Sequence, residues 1–364
     1  MKKILLGLCI GVMMVSCTQN PKGYVINGTV GDNKLDSTYV YLYNSTERNA
    51  TPVDSVMIQN AKFAFNNDVA DSTLAILRIL SKDFRGQALF VQEKGKMNVE
   101  VTPDGIKLTG TPINNAWNAL NDQRRDISKR FRELADQQKN ASEADSVKLD
   151  EEMEDLYKIF TSLPKSFILA NADNEAGGSE FIENSYSMPV EDMDTIFAKA
   201  SGKFLTMTNM DKLRERFEVL KTVAVGQKFT DLEMNDNQGK PRKLSEFVGN
   251  GKLVLIDFWA SWCGPCIQEM PNVVATYNQY NPKGFDIVGI SFDNDETRWK
   301  DAIKKYDMKW HQLSDLKGWE SVGSKVYAVS GIPHTILVDK DGTIVAKDLR
   351  GEALGKKVEE LLNK

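Results

Sequence analysis

Apolar positions follow three different patterns along the chain, and the first pattern is that of strands. From residue 24 to about residue 110, short apolar runs such as Tyr39–Tyr43 and residues 97–101 alternate with turn-forming residues. Several such runs at roughly even spacing predict an all-β domain, a small sandwich or barrel, over residues 24–110. The polar residues of this stretch form no cluster that indicates chemistry.

From residue 111 the apolar spacing changes to three and four, which is the helical period. Thr111 followed by Pro112 is typical of a helix start, and a second amphipathic run follows Ser142. These signals predict a two-helix hairpin within a helical segment that covers residues 111–220. We interpret its charged residues, such as Arg124, Arg125, Glu151 and Glu152, as solvated faces, with a docking surface for a client protein as the alternative.

The last third, residues 221–364, has the pattern of an α/β domain. Residues 253–256 form a continuous apolar run, typical of a central strand buried on both faces. Further strands are predicted at residues 285–292, 335–338 and 343–347, and the last two are joined by a hairpin signal. Helical patterns separate the earlier strands, so we expect a mixed central sheet flanked by helices.

Composition excludes several classes of protein. The chain has 364 residues, of which 41% are hydrophobic and 27% charged, and its formal net charge is −5. Its length allows two to three domains, and its mean hydropathy of −0.38 excludes a polytopic membrane protein. The charges form no basic block, so we expect no nucleic-acid partner. Four cysteines are too few for a disulfide-stapled scaffold.

The N-terminal residues have the composition of a secretory signal. Two lysines precede an apolar run over residues 4–15, which is too short to span a bilayer. The small residue Ser16 follows this run directly before Cys17, and the segment resembles the lipobox of bacterial lipoproteins. The resemblance implies a signal peptide over residues 1–16, an acylated Cys17, a lipidated tether over residues 17–23 and an envelope protein anchored to a membrane and facing the periplasm. The alternative is an ordinary signal peptide that leaves Cys17 as a free thiol.

Two cysteines three residues apart directly follow the buried strand. Cys263 and Cys266 lie where a short turn leads into a helix, and the N–H groups at a helix start favour a thiolate. A thiolate attacks disulfides, and a second thiol one turn deeper can release the client. The alternatives are a structural disulfide or half of a zinc site, for which His311 and His334 lie at unsuitable spacing.

From about residue 225 the chain resembles the thioredoxin superfamily, specifically the membrane-anchored periplasmic thiol-disulfide oxidoreductases of the TlpA/ResA type. The β-rich region before it is similar to a domain of unknown role that precedes thioredoxin-like domains in bacterial lipoproteins. The matching segments are a lead-in, the motif that contains both cysteines, an inserted helix and strand, and a proline loop, at residues 226–229, 262–266, 295–316 and 331–335.

The resemblance implies a role for each matching residue. Cys263 is then the attacking thiolate and Cys266 the resolving thiol. The residues that would shape the site and bind the client are Trp262, Gly264, Pro265, Ile332 and Pro333. In the family this last proline is cis and lies opposite the attacking cysteine, where the backbone before it pairs with an extended client.

Asp257 is the candidate general acid/base, because thioredoxins have an aspartate at this position that passes protons to the resolving cysteine through water. The alternative is a buried aspartate that is merely hydrogen-bonded. The chain departs from the thioredoxin pattern at Gly289, where thioredoxins place a lysine near this carboxylate. The sequence therefore does not determine how nearby charges shift the pKa of Asp257. Glu269 is either a second proton group or an exposed residue, and Pro271 predicts a helix kink.

We therefore predict a protein disulfide oxidoreductase without cofactor or metal. Its expected partners are disulfide-bearing envelope proteins and a membrane electron donor that re-reduces it. The Gly-Pro pair between the cysteines is that of thioredoxin, a reductant with a potential of about −270 mV, and therefore favours a reductase. Cytochrome c maturation and isomerase-like roles are among the options. The alternatives are a thiol peroxidase, a metal-binding chaperone that uses Cys263, Cys266 and His334, and a binding module formed by residues 24–220.

Overall fold

The computed structural model describes residues 22–31, 33–44, 50–68 and 72–363. The predicted signal peptide and Cys17 lie outside these ranges. The described chain forms two compact units, one with the residues up to Phe181 and Lys199–Met207, the other with Ile182–Ala198 and the residues from Thr208 onward. In the described part, no helix combines the length and the apolar character that a membrane span needs.

The first unit begins with a β-sandwich. Its strands are β1 (Tyr24–Val30), β2 (Tyr39–Tyr43), β3 (Asp54–Met57), β4 (Lys62–Asn67), β5 (Leu74–Leu80), β6 (Arg85–Val91), β7 (Gly95–Thr102) and β8 (Gly105–Thr109). They form one sheet in the order β4-β1-β7-β8 and another in the order β3-β2-β5-β6. Strands β1 and β7 are parallel, and the other neighbours are antiparallel. Alternate apolar side chains of both sheets, such as Ile26 and Leu77, share one buried core.

A helical segment follows the sandwich. It consists of α1 (Pro112–Gln138), α2 (Glu143–Ala170), α3 (Glu175–Asn184), α4 (Val190–Lys199), α5 (Gly202–Leu205) and α6 (Met210–Thr222). Thr111 is the N-cap of α1 with Pro112 after it, and the Ser142 side chain caps α2 by accepting from the Asp145 N–H. These are the helix starts that the sequence predicts.

The interpretation of Arg124 as a solvated residue is wrong. Its guanidinium donates to both carboxylate oxygens of Glu180, at 3.0 Å and 2.7 Å, and Trp117 Nε1 donates to the same carboxylate at 2.7 Å. Glu180 is only 2% exposed. A carboxylate buried this deeply needs a charged partner, and that partner lies on a different helix, where a helical periodicity cannot show it.

The second unit contains a seven-stranded mixed sheet. Its elements are β9 (Glu233–Asp236), β10 (Pro241–Lys243), β11 (Leu253–Trp259), α7 (Gly264–Tyr280), β12 (Phe285–Ser291), α8 (Glu296–Lys305), β13 (His311–Ser314), α9 (Val322–Tyr327), β14 (His334–Val338), β15 (Ile344–Lys347) and α10 (Gly351–Leu362). The strand order is β10-β9-β13-β12-β11-β14-β15. Every residue of β11 and β12 is buried, as expected of central strands covered on both faces.

The sheet order determines which loops meet around the end of β11. Strands β11 and β12 are parallel, so the loops that follow them leave the sheet at the same edge. Strand β14 is antiparallel to β11, with His334 opposite Phe258, so the loop before β14 reaches that edge as well. The predicted fold class, an all-β region, a helical segment and an α/β domain with a mixed sheet, is confirmed.

Candidate active site

Cys263 and Cys266 form a disulfide at the start of α7. The S–S distance is 2.07 Å and the Cα–Cα distance 5.3 Å. Cys263 is the N-cap residue, and its Sγ accepts the Cys266 N–H at 3.2 Å. That N–H belongs to the unpaired donors of the first helical turn, so it can equally support a thiolate on Cys263 after reduction. The structure therefore represents the oxidised state of a pair suited to exchange.

The residues around the disulfide leave one side of it open. Cys263 is 5% exposed and Cys266 2%, whereas Trp262 is 48% exposed. Gly264 and Pro265 are exposed, and a Cβ on Gly264 would meet no atom within 4 Å. The exposed surface next to the buried Cys263 is thus formed by Trp262 and the Gly-Pro turn.

The proline loop lies against the same sulfur. The Ile332–Pro333 peptide bond is cis, and the Ile332 carbonyl oxygen lies 3.7 Å from Cys263 Sγ. Arg350 Nη2 donates to the Pro333 carbonyl at 2.7 Å, which anchors the loop from the other side. Residues far apart in the sequence are thus brought together by the pairing of β14 with β11.

Asp257 is buried in the centre of the sheet. It is 3% exposed and lies between Gly289 of β12 and Thr335 of β14. Burial raises the pKa of its carboxyl group to about 7, and the negative charge of Glu269 adds to this rise. Glu269 lies one helical turn after Cys266, on the helix that begins at the disulfide.

Glu269 is neither exposed nor free. Its Oε1 accepts the N–H of Gly351 at 2.6 Å, and its Oε2 accepts from Asn272 Nδ2 at 3.3 Å. Gly351 is the first residue of α10, so the carboxylate occupies the N-terminus of that helix, where negative charge is favoured. This position holds the acidic charge near Asp257.

Packing explains why residue 289 is a glycine, and the sequence alone does not show this. A Cβ there would lie 2.3 Å from Gln312 Oε1, so the glycine makes room for a buried amide. That oxygen accepts the Trp259 indole N–H at 3.0 Å. A neutral glutamine therefore fills the place beside Gly289, and burial and Glu269 act on Asp257 without a compensating lysine at this position.

Asp293 is a site residue that the sequence analysis missed. It is 1% exposed and follows β12, and its carboxylate accepts the Ser261 N–H at 3.0 Å as well as the Ser261 and Ser291 hydroxyls. Ser261 lies in the turn between β11 and Trp262, so Asp293 holds the turn that carries the disulfide. A signal was available, because the carboxyl ends of neighbouring parallel strands meet at one edge.

His334 lies beside the proline loop, but its ring is directed to an acid. Nδ1 is 2.6 Å from Asp348 Oδ1, and the ring packs against Phe258 at a centroid distance of 5.6 Å. Among the described residues, no group of three or more His, Cys, Asp or Glu side chains is placed to hold a metal ion.

Comparison with known proteins agrees with this geometry. Residues 225–347 match the AhpC/TSA family, and residues 24–117 match a domain of unknown function, DUF4369. The chain is 34% identical over 140 residues to the thiol-disulfide oxidoreductase ResA of Bacillus thuringiensis subsp. konkukian, which covers 38% of this chain and 78% of that protein. The chain belongs to the ResA-like thiol-disulfide oxidoreductases.

Two further proteins match the same region of this oxidoreductase. It is 27% identical over 122 residues to ResA of Geobacillus thermodenitrificans, covering 34% of this chain and 67% of that protein. The thioredoxin domain of a thiol-disulfide oxidoreductase from Bacteroides vulgatus is 39% identical, covers 38% of this chain and 99% of its own, and has a TM-score of 0.36. The match to ResA confirms the predicted enzyme class, a thioredoxin-like disulfide oxidoreductase.

Proposed function

We propose that this oxidoreductase reduces disulfides of envelope proteins through Cys263 and Cys266. The observation that carries the proposal is the Cys263–Cys266 disulfide at the N-terminus of α7, 3.7 Å from the Ile332 carbonyl. The names of the relatives, which refer to disulfide exchange, support this function over the thiol-peroxidase and metal-chaperone alternatives.

The reaction begins with the reduced protein. The Cys263 thiolate attacks one sulfur of the client disulfide, a mixed disulfide forms, and the other client sulfur leaves as a thiolate that takes a proton. Cys266 then loses its proton and attacks Cys263 Sγ, which forms the disulfide seen here and releases the second client thiol. Two electrons pass to the client, and an external dithiol donor must return two to the enzyme.

Asp257 is the proposed acceptor of the Cys266 proton, through an intervening water. Its burial, its place on the strand that leads to the disulfide and its raised pKa of about 7 support this role, since a base works best when its pKa lies near the working pH. The proposed roles of Trp262, Gly264, Pro265, Ile332 and Pro333 are to shape the approach of the client. Their exposure or proximity to Cys263 supports that assignment.

The direction of exchange is tested by the reduction potential. We expect a value of about −270 mV, because the dipeptide between the cysteines is the Gly-Pro of thioredoxin. The measurement is equilibration with thiol redox buffers, acid trapping and counting of free thiols, with the Cys263→Ser variant as the blank. A potential of about −120 mV would instead identify an oxidant and contradict the reductase proposal.

We also propose an envelope location and a lipid anchor on Cys17, on the basis of the N-terminal sequence alone. Cys17→Ser is expected to move most of the protein from the membrane fraction to the soluble envelope fraction. Cys9→Ser is the matched control, since Cys9 lies within the predicted signal peptide and its loss should change nothing. Immunoblots of fractionated cells provide the measurement, and a Cys17→Ser protein that stays with the membrane contradicts the anchor.

An anchored enzyme on the outer side of a membrane needs a donor that brings electrons across it. We therefore propose a membrane electron donor as the partner that re-reduces Cys263 and Cys266. The domain ranges 24–110, 111–220 and 221–364 remain predictions. The alternative that residues 24–220 form a binding module also remains a prediction.

A further inference from the structure

Two exposed indole rings lie next to each other beside the disulfide. Trp262 directly precedes Cys263 and is 48% exposed, and Trp319 is 45% exposed. Their ring centroids are 6.2 Å apart, and Trp319 packs edge-on against Phe292 at 5.3 Å. Large aromatic side chains are mostly removed from water, so a pair left exposed at the site of the chemistry is a surface available for contact.

The loop that carries Trp319 is held rigidly. It is a turn over Gly318–Glu320, between β13 and α9. The Asp315 carboxylate accepts the N–H groups of Lys317 at 3.3 Å and Val322 at 2.9 Å. Leu316 has a φ of 55°, a left-handed conformation that a leucine adopts at a cost, and its N–H is bound by Ser314 Oγ at 3.1 Å. Backbone strain of this kind persists where the surroundings enforce it, often at binding sites.

Asp293 connects the two backbone segments that carry the tryptophans. Its carboxylate holds Ser261, the residue before Trp262, while its backbone carbonyl accepts the Gly318 N–H at 3.4 Å. The indoles therefore keep their relative position without any contact from a client. A pre-organised pair loses little conformational freedom when a ligand binds.

The burial of Cys263 determines what lies near this pair during exchange. Because Cys263 is only 5% exposed, a client sulfur reaches it only if the client residues next to its cysteine touch the rim of the opening. Trp262, which directly precedes Cys263, belongs to that rim, and Trp319 packs against Trp262. The surface is thus continuous with the place where a client must bind.

We propose that Trp262 and Trp319 bind a large apolar or aromatic side chain adjacent to the client's cysteine, so that Trp319 is a specificity-determining residue. The inference rests on the proposed function, because it concerns the clients of the same dithiol. The occupant is an extended or locally unfolded client segment, since such a side chain is accessible only when it is not packed in the client's own core. Tryptophan is among the residues that dominate binding at such surfaces.

The experiment compares two cyclic peptides that share one disulfide loop and differ only in the residue next to one cysteine, phenylalanine or serine. The second-order rate constant for reduction of each peptide by the reduced, full-length protein is measured by acid quenching and chromatography. Each value is divided by the rate constant with dithiothreitol, which removes the intrinsic reactivity of the peptide. The quantity of interest is the ratio of the two corrected values.

We expect the wild-type protein to prefer the phenylalanine peptide by about three- to tenfold, and Trp319→Ala to bring the ratio close to one. Trp319→Phe should keep part of the preference, since it retains an aromatic ring on Phe292. Tyr157→Ala, which removes a 60% exposed aromatic side chain from α2, is the control and should keep the wild-type ratio. The reduction potential of Trp319→Ala should equal that of the wild type, because a specificity residue does not alter the disulfide itself.

The outcomes separate this inference from the proposed function. Equal reduction of both peptides by the wild type, or a wild-type ratio in Trp319→Ala, overturns the role of Trp319 and leaves the dithiol reductase intact. A changed reduction potential in Trp319→Ala also overturns it, because the residue then acts on the disulfide. If the wild type reduces neither peptide although dithiothreitol does, the proposed function fails together with the inference.

Discussion

The Cys266→Ser variant is expected to accumulate as mixed disulfides with envelope proteins when it is reduced and returned to the cell envelope. Without the Cys266 thiol, the bond between Cys263 and the client has no internal attacker and stays in place. Turnover of a disulfide substrate should fall to the rate of uncatalysed exchange. The adducts are seen on non-reducing gels and identified by mass spectrometry after reduction.

Cys263→Ser is the matched control, because it keeps one cysteine of the same pair but removes the proposed attacking one. Cys263 is the N-cap residue whose sulfur faces the Ile332 carbonyl, whereas Cys266 is 2% exposed, so only the first is placed to meet a client. Adducts should therefore form with Cys266→Ser and not with Cys263→Ser. Equal trapping by both variants would contradict the assignment of Cys263 as the attacking residue. Trapping by neither variant would contradict the proposal that the clients are proteins.

Asp257→Asn is expected to stabilise the protein above pH 7 while slowing its chemistry. The pKa of Asp257 is raised from 3.8 in the unfolded reference to about 7 by burial and by Glu269. The folded state therefore binds this proton more tightly, and the stability contributed by the protonated group is complete below about pH 4 and lost as the pH rises through about 7. The loss amounts to about 4 kcal/mol at most.

The amide introduced by Asp257→Asn carries no charge at any of these pH values, so the loss should disappear. We expect the variant to exceed the wild type in free energy of unfolding at pH 8, by an amount on the order of 2–4 kcal/mol, and to match it near pH 4. Denaturant unfolding of the oxidised protein at both pH values provides the measurement. A gain of the same size at both values would show that it does not come from titration of Asp257.

The same substitution should slow release of the client from Cys263, on the order of a hundredfold, because the proton of Cys266 has lost its acceptor. In the wild type this step should accelerate as the pH rises through about 7, the pKa of Asp257, and in the variant that acceleration should be absent. Glu269→Gln is a finer control, since it keeps an acceptor for the Gly351 N–H but removes the charge. In Glu269→Gln, the release of the client should therefore begin to accelerate at a lower pH than in the wild type.

Local signals predicted much of this molecule. The period of apolar residues predicted the sandwich strands, the first two helices and the central strands, because each of these elements buries one face or both. Caps at Thr111 and Ser142 marked helix starts, because a cap acts on its own next turn. The two cysteines at a strand–helix junction indicated the chemistry, since their spacing and the N–H groups of the helix are local properties too.

The interactions that decide the roles of Arg124 and Asp293, which the sequence analysis missed, are long-range. Arg124 and Glu180 lie 56 residues apart, and Ser261 and Asp293 lie 32 apart. A charged residue has the same local pattern whether water or a buried partner stabilises it. Burial decides between these cases, and burial depends on elements that are distant in the sequence.

By itself, then, the amino-acid sequence determined the fold class, the family and the pair of cysteines, because these follow from periods and motifs within one or two elements. The tertiary structure alone decided the environment of that pair. The order of β13, β12, β11 and β14 brings Gln312 beside Gly289, Asp293 beneath the active-site turn and Ile332 against Cys263. It also places Trp319 beside Trp262. An apolar run states that a strand is buried but not which strands lie next to it, and those neighbours bring these groups together.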